Sequence, residues 1–210
     1  MPKNNILLLA FLFLLNGCST STDSQPELKV ALNSGNYECV SLVTNKGSIV
    51  LGLDKTNAPE SVNNFLNYTN TQFYNGTIFH RIIDGFMIQG GGHTETFVKK
   101  ETNAPIVNEA DNGLTNIRGS IATARTSAPH SATSQFFINT VDNDFLNYKD
   151  KTTSGWGYAV FGQVISGMDV VDAISKVSTG AGGPFLKDVP NENITVLEAE
   201  VLSCSDVNQE

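Results

Sequence analysis

From residue 37 onward the apolar positions fall into short runs, and turn residues punctuate them. Residues 39–43 and 49–53 flank Asn45, Lys46 and Gly47, the pattern of a β-hairpin with a tight turn. Six further β-rich runs cover 78–83, 86–89, 119–124, 135–140, 159–164 and 194–203, separated by Gly, Asn and Asp. In two places the period lengthens. Across 58–68, Val62, Phe65, Leu66 and Tyr68 recur mostly three or four residues apart behind Pro59 and Glu60, which predicts an amphipathic helix. A second helix is predicted over 168–177, ahead of the last strand. Residues 91–118 read as a surface loop region.

Many short strands with two helices predict a mainly β domain, a barrel with helices over its open ends, because closing a sheet removes its exposed edges. Alternation then sorts the faces. Phe79, Arg81 and Ile83 share one face, as do Met87 and Gln89; Gln135, Phe137 and Asn139 share another, with Phe136 and Ile138 turned into the barrel. If the first and last strands are antiparallel neighbours, Cys39 and Cys204 occupy facing positions, as a disulfide or as two separate thiols.

The first 18 residues have a different pattern: Lys3 gives a positive start, 6–15 is continuously apolar, and Leu15, Asn16, Gly17 and Cys18 follow at once. The apolar run is about half the roughly 20 residues a membrane-spanning helix needs, so it reads as a secretory signal peptide. Leu, Gly and Cys in this order resemble the bacterial lipobox, which implies that Cys18 is lipidated and becomes the mature N-terminus; Asn16 is less usual there. The alternative is an ordinary signal peptide with an incidental Cys18. Ser19 rather than Asp follows Cys18, and the same resemblance then implies sorting to the outer membrane, facing the periplasm of a bacterial envelope. Residues 19–35, rich in Ser, Thr, Asp and Asn, read as a flexible tether. The expected layout is a signal peptide over 1–17, lipidated Cys18 and tether over 18–36, one domain over 37–204, and a tail over 205–210.

Composition narrows the partners. The chain has 13 Lys and Arg against 21 Asp and Glu, a net charge of -8, and no basic stripe to follow phosphates, so nucleic acid is not an expected partner. A chain of 210 residues with 40% hydrophobic content is expected to bury a core without needing a metal or a disulfide to fold. Contact with a membrane is expected through the lipid anchor only, and the protein is expected to be a monomer.

Five stretches carry the chemistry: FHRIIDGFMIQGGG (79–92), GSIATAR (119–125), SQFFINT (134–140), NDFLNY (143–148) and GWGYAVFGQV (155–164). In this order and spacing they resemble the cyclophilin family of peptidyl-prolyl cis/trans isomerases, over residues 37–203. The resemblance implies a closed eight-stranded antiparallel β-barrel capped by two α-helices. It also implies catalysed rotation of Xaa-Pro bonds in peptides and in unfolded or exported proteins, with no cofactor or metal. That rotation must break amide conjugation, a barrier of about 18–20 kcal/mol, without breaking a covalent bond. A permanently protonated donor aimed at the twisted amide nitrogen suits the task.

On this resemblance Arg81 is the catalytic donor and Gln89 orients it. Phe86, Met87, Phe137 and Leu146 form an apolar slot for the proline ring, with Phe86 brought there by a bend after Asp84 and Gly85. Ala124 and Arg125 supply a backbone edge for the residues before proline, and Gln135, Phe145 and Tyr158 complete the substrate site. Arg125 replaces the asparagine of many eukaryotic members but matches the bacterial pattern. Phe145 stands where cyclosporin-sensitive members carry tryptophan, and Tyr158 where many carry histidine, so weak drug binding is expected.

Other motifs suggest rival chemistry that their spacing does not support. His80, His93 and His130 lack metal-ligand spacing and read as loop or packing histidines. Gly90, Gly91 and Gly92 end a strand and have no GK[ST] after them, unlike a phosphate loop. Asp142, Asp144 and Asn147 lack the glycine and closing glutamate of a calcium loop. A peptide-binding module with an incidental isomerase site is the rival function, and the intact set Arg81, Gln89 and Phe137 argues against it.

Overall fold

The computed structural model describes residues 35–209. The signal peptide, Cys18 and nearly all of the tether therefore lie outside the described residues. Strands β1 (Tyr37–Thr44) and β2 (Gly47–Asp54) pair in continuous register from Tyr37 opposite Asp54 to Thr44 opposite Gly47. Gly47 permits the turn, with φ +131, and a side chain there would collide with Val170 at 2.8 Å. Helix α1 (Pro59–Asn70) starts on proline, whose missing N–H costs nothing in a first turn. Its exposed donors are met from a distance: the Glu109 carboxylate accepts from the Glu60 and Ser61 amides at 3.0 and 2.8 Å. The helix buries Val62, Phe65 and Tyr68, and Phe65 meets Phe136 edge-on with ring centres 5.4 Å apart.

Seven more strands complete the main sheet: β3 (Thr77–Ile78), β4 (Arg81–Ile83), β5 (Met87–Gly90), β6 (Ser120–Thr123), β7 (Phe136–Asn139), β8 (Val160–Ser166) and, at the end of the domain, β11 (Thr195–Leu202). Helix α2 (Met168–Ser175) follows β8, and a separate two-stranded hairpin, β9 (Thr179–Gly182) with β10 (Phe185–Pro190), precedes β11. Among the described residues no helix is long and apolar enough to cross a membrane.

The sheet corrects the expectation of a closed eight-stranded barrel. Among the described residues it has nine strands in the order β3-β11-β1-β2-β8-β6-β7-β5-β4, curled but not joined into a ring. The two edge strands are consecutive in the chain. Between them Phe79 and His80 leave the ladder, and β3 is only two residues long, so little crosses the gap. A single Thr77–Thr94 bridge and the Ile78 N–H to His93 carbonyl bond at 2.9 Å do so. That break also overturns the shared face proposed for Phe79, Arg81 and Ile83. Phe79 is fully buried in the main core against Phe136, while Arg81 and Ile83 lie half-buried on the far side of the sheet.

The main core fills the curl with Leu42, Ile49, Phe65, Phe79, Phe136, Ile138 and Phe161. A second, smaller cluster of Met87, Ala122, Phe137, Leu146 and Val160 lies outside it. Cys39 and Cys204 are joined by a disulfide, with Cα atoms 5.2 Å apart. Cys39 pairs with Leu202, so Cys204 reaches it from two residues beyond the ladder.

Candidate active site

The smaller apolar cluster floors an open pocket of about 130 Å³, well below the roughly 300–1,000 Å³ of drug-sized ligand sites and suited to one small ring. Four adjacent strands build it. Arg81 on β4 pairs with Gln89 on β5, Gln89 with Phe137 on β7, and Phe137 with Ala122 on β6, so one row across the sheet brings these groups together. Because side chains alternate along β7, Phe137 faces the pocket and Phe136 the main core.

The polar wall is held by one long hydrogen bond and one of ordinary length. Arg81 Nη1 donates to Gln89 Oε1 at 3.4 Å, and Gln89 Nε2 donates to Gln135 Oε1 at 3.0 Å. Gln135 therefore buttresses Gln89 and is not itself a lining residue. Asp188 Oδ2 lies 3.8 Å from Arg81 Nε, an ion pair rather than a hydrogen bond.

The apolar wall contains Phe86, Met87, Phe137, Leu146 and Tyr158. Gly85, at φ +68, makes the turn that ends β4 and carries Phe86 toward the site, and the Phe86 amide donates back to Ile83 O at 3.1 Å. Asn143 clamps this turn to the segment bearing Phe145 and Leu146: its Nδ2 donates to Phe86 O at 3.0 Å and to Asn139 Oδ1 at 2.8 Å. Asn139 in turn donates to Asn116 and Ser120. The sequence pattern gives no sign of this buried amide network. Phe145 lies at the rim, 64% exposed, stacked on Phe86 with ring centres 5.6 Å apart. Tyr158 meets Phe137 edge-on at 5.6 Å, and the Arg125 guanidinium lies 4.7 Å over the Tyr158 ring.

Ala124 and Arg125 continue the line of β6. The Ala124 N–H donates to Gln135 O at 2.9 Å, toward β7, while the Thr123 N–H donates to Ala159 O at 3.0 Å, toward β8. By alternation the Arg125 N–H points to the β8 side, where it has no protein acceptor among the described residues. An extended peptide can therefore add there as a strand.

Beside the site, His80 and His93 are buried with ring centres 4.6 Å apart, and neither Nδ1 has a partner among the described residues. Burial pushes His80 down to about 4, helped by the neighbouring His93, and burial also lowers His93. His130 Nδ1 accepts from the Asn108 amide at 3.0 Å and its ring packs on Trp156. Among the described residues no three His, Cys, Asp or Glu side chains converge as a metal-binding group.

A curled antiparallel sheet that sets one arginine over a ring-sized apolar slot, beside an open backbone edge, defines a protein that handles extended peptides. The family profile described as "Cyclophilin type peptidyl-prolyl cis-trans isomerase/CLD" matches residues 39–201. The chain is 56% identical over 157 residues to peptidyl-prolyl cis-trans isomerase B of Escherichia coli K12, covering 75% of this chain and 95% of that protein. It is 55% identical over 163 residues to the isomerase cyp18 of Streptomyces antibioticus, covering 78% and 98%. A crystal structure of a Cryptosporidium parvum cyclophilin-type isomerase aligns with a TM-score of 0.67 at 26% identity, covering 80% of this chain and 98% of that one. The same C. parvum protein, in the presence of the dipeptide Ala-Pro, aligns at 0.64 with 25% identity, covering 79% and 99%. The chain belongs to the cyclophilin family and is a peptidyl-prolyl cis/trans isomerase.

Proposed function

We propose that this isomerase turns Xaa-Pro bonds of exported proteins within a bacterial cell envelope, working as a monomer held by lipid on Cys18 at the periplasmic face of the outer membrane. The observation that carries the reading is the disulfide between Cys39 and Cys204, a bond that persists in oxidising compartments and is rare in the cytosol. The leader agrees with it: Lys3, the apolar run 6–15 and Leu15 to Cys18 have the order of a lipoprotein signal.

In the proposed mechanism the proline ring enters the slot of Phe86, Met87, Phe137 and Leu146 and is held still while the preceding carbonyl swings. The relative crystallised in the presence of Ala-Pro supports a slot for the ring and the residue before it. As the amide twists, its nitrogen lone pair leaves conjugation and becomes an acceptor, and an Arg81 N–H donates to it. Arginine keeps its proton throughout, so the site stabilises the twisted state without transferring a proton. Gln89 fixes the Nη1 side of the guanidinium, and the Arg125 N–H pairs with substrate backbone.

Two measurements on the full-length protein test the reading. In bacteria fed labelled palmitate, the wild type is expected to take up label and to fractionate with membranes, and Cys18→Ala to lose both. Unlabelled wild type would remove the anchor. In a proline-isomerisation assay Arg81→Ala is expected to lose most of the rate with its fold intact, and an unchanged rate would remove Arg81 from the chemistry.

A further inference from the structure

The hairpin β9–β10 contributes nothing to the main core, yet it is fastened beside the edge strand that carries Arg81. Phe185 does the fastening. Its ring stacks on His80 with centres 5.3 Å apart and meets His93 edge-on at 5.3 Å. Phe97 packs from the other side, in space kept open by Gly183, where a Cβ would lie 2.3 Å from Phe97 Cγ.

Past Phe185 the ladder breaks. Phe185 pairs with Gly182 and Val189 with Gly180, so three residues of β10 face one residue of β9. The last of the three, Asp188, takes φ +65, a left-handed conformation that non-glycine residues adopt rarely and that Asp tolerates better than most. The result is directional: the Asp188 carboxylate is turned toward β4, only 20% exposed, with Oδ2 3.8 Å from Arg81 Nε. Lys187 also approaches this carboxylate, at 3.9 Å, but its own side chain is 82% exposed.

We propose that Asp188 is a positioning residue for Arg81. Gln89 holds the guanidinium at Nη1 and Asp188 draws it at Nε, so the flexible side chain is restrained from two sides and its remaining N–H bonds stay over the pocket. A donor aimed in advance stabilises a transition state without reorganising during the reaction, which an arginine swinging in solvent does not achieve. At 3.8 Å the carboxylate acts through its charge and leaves the donor hydrogens available to substrate. The proposal rests on the role of Arg81 given above.

The test is steady-state isomerisation by the full-length protein, with Asp188→Asn and Asp188→Gly, two residues that accept positive φ. Both are expected to lower kcat/KM roughly tenfold, almost entirely in kcat, with KM moving less than about twofold. Lys187→Ala is expected to match the wild type. On top of Arg81→Ala, Asp188→Asn is expected to remove nothing further, because a positioning residue has no effect once its target is gone. The Arg81 15N–1Hε resonance is expected to shift and broaden in Asp188→Asn. Wild-type or faster turnover in both Asp188 variants would overturn the proposal. So would an undiminished loss in the Arg81→Ala background, the mark of a purely structural role. Arg81→Ala alone reports separately on the underlying mechanism: if it turns over normally, that mechanism fails whatever Asp188 does.

Discussion

Arg81 and Gln89 are directly opposed on β4 and β5, and Gln89 reaches both Arg81 at 3.4 Å and Gln135 at 3.0 Å, so one amide couples the cation to the next strand over. The Arg81 contact is long for a hydrogen bond, as catalytic contacts in a free enzyme often are before substrate arrives. Gln89→Ala is expected to cost roughly tenfold in kcat/KM with little change in thermal stability. Gln135→Ala, acting only through Gln89, is expected to cost less and to add nothing in the Gln89→Ala background. Isomerisation rates for the two single variants and the double variant decide it.

What was legible in the sequence was local. Asn45, Lys46 and Gly47 announce a tight turn because backbone angles there restrict residue choice, and alternation over 135–140 separates Phe137 from Phe136 because a regular ladder enforces it. The same rule failed at Phe79, where the chain leaves the ladder for two residues and resets the faces. Thr179–Gly182 has no apolar period at all, so the hairpin it forms was invisible, and Asp188 with it. The Asn116–Asn139–Asn143 network leaves no mark in the sequence for a related reason: Asn116 lies 23 residues from Asn139, and only packing brings it to the Asn139–Asn143 pair. Nine residues named by the resemblance line one pocket while Gln135 and Phe145 do not, and the resemblance carries no information on these supports.

Phe145 stacks on Phe86 and presents no N–H, whereas a tryptophan indole in its place donates a hydrogen bond to cyclosporin in sensitive members of the family. Inhibition by the drug is expected to be weak. Phe145→Trp is expected to bind it roughly two- to tenfold more tightly, about what one recovered hydrogen bond supplies. A nanomolar inhibition constant for the wild type would defeat the prediction.

Arg125 lies over Tyr158 with Nε donating to Gly157 O at 2.7 Å, and it has no carboxylate partner among the described residues. Its Nη1 also donates to Thr126 O at 3.0 Å, so the guanidinium is held by backbone carbonyls and leaves an uncompensated positive charge at the pocket it lines. Peptides with Glu or Asp near proline are expected to be turned over a few-fold faster than neutral ones at low salt, the size of an exposed ion pair. Arg125→Ala and added salt should each erase that preference.

The disulfide spans a sequence separation of 165 residues, for which the chain-entropy treatment gives about 5 kcal/mol, an upper figure that neglects residual structure in the unfolded chain. Cys39→Ser with Cys204→Ser is expected to lower unfolding free energy by roughly 2–5 kcal/mol while leaving kcat/KM near wild type, since the bond lies away from the pocket. Denaturant titration, with and without reductant, measures the first part. An equally destabilised wild type under reductant would tie the loss to the bond.

His80 supplies a pH dependence whose sign is fixed by its burial. The folded protein holds this imidazole neutral, pushed down to about 4 by desolvation with His93 close by, while in the unfolded chain it titrates near its ordinary value. Between these two values the unfolded chain binds a proton that the folded protein refuses. Stability contributed by the neutral form is thus fully present above about pH 6.5 and is lost as pH falls toward 4, by at most about 3 kcal/mol. His93 is shifted in the same direction and adds to the loss. Protonation would also place a cation between His93 and Arg81 and loosen the ring stack that seats Phe185. Unfolding free energies measured at pH 7 and pH 5 are expected to differ in the wild type and to differ by less in His80→Gln, where only the His93 contribution remains. A pH-independent wild type over that interval would show that His80 takes up its proton in the fold as readily as in the unfolded chain.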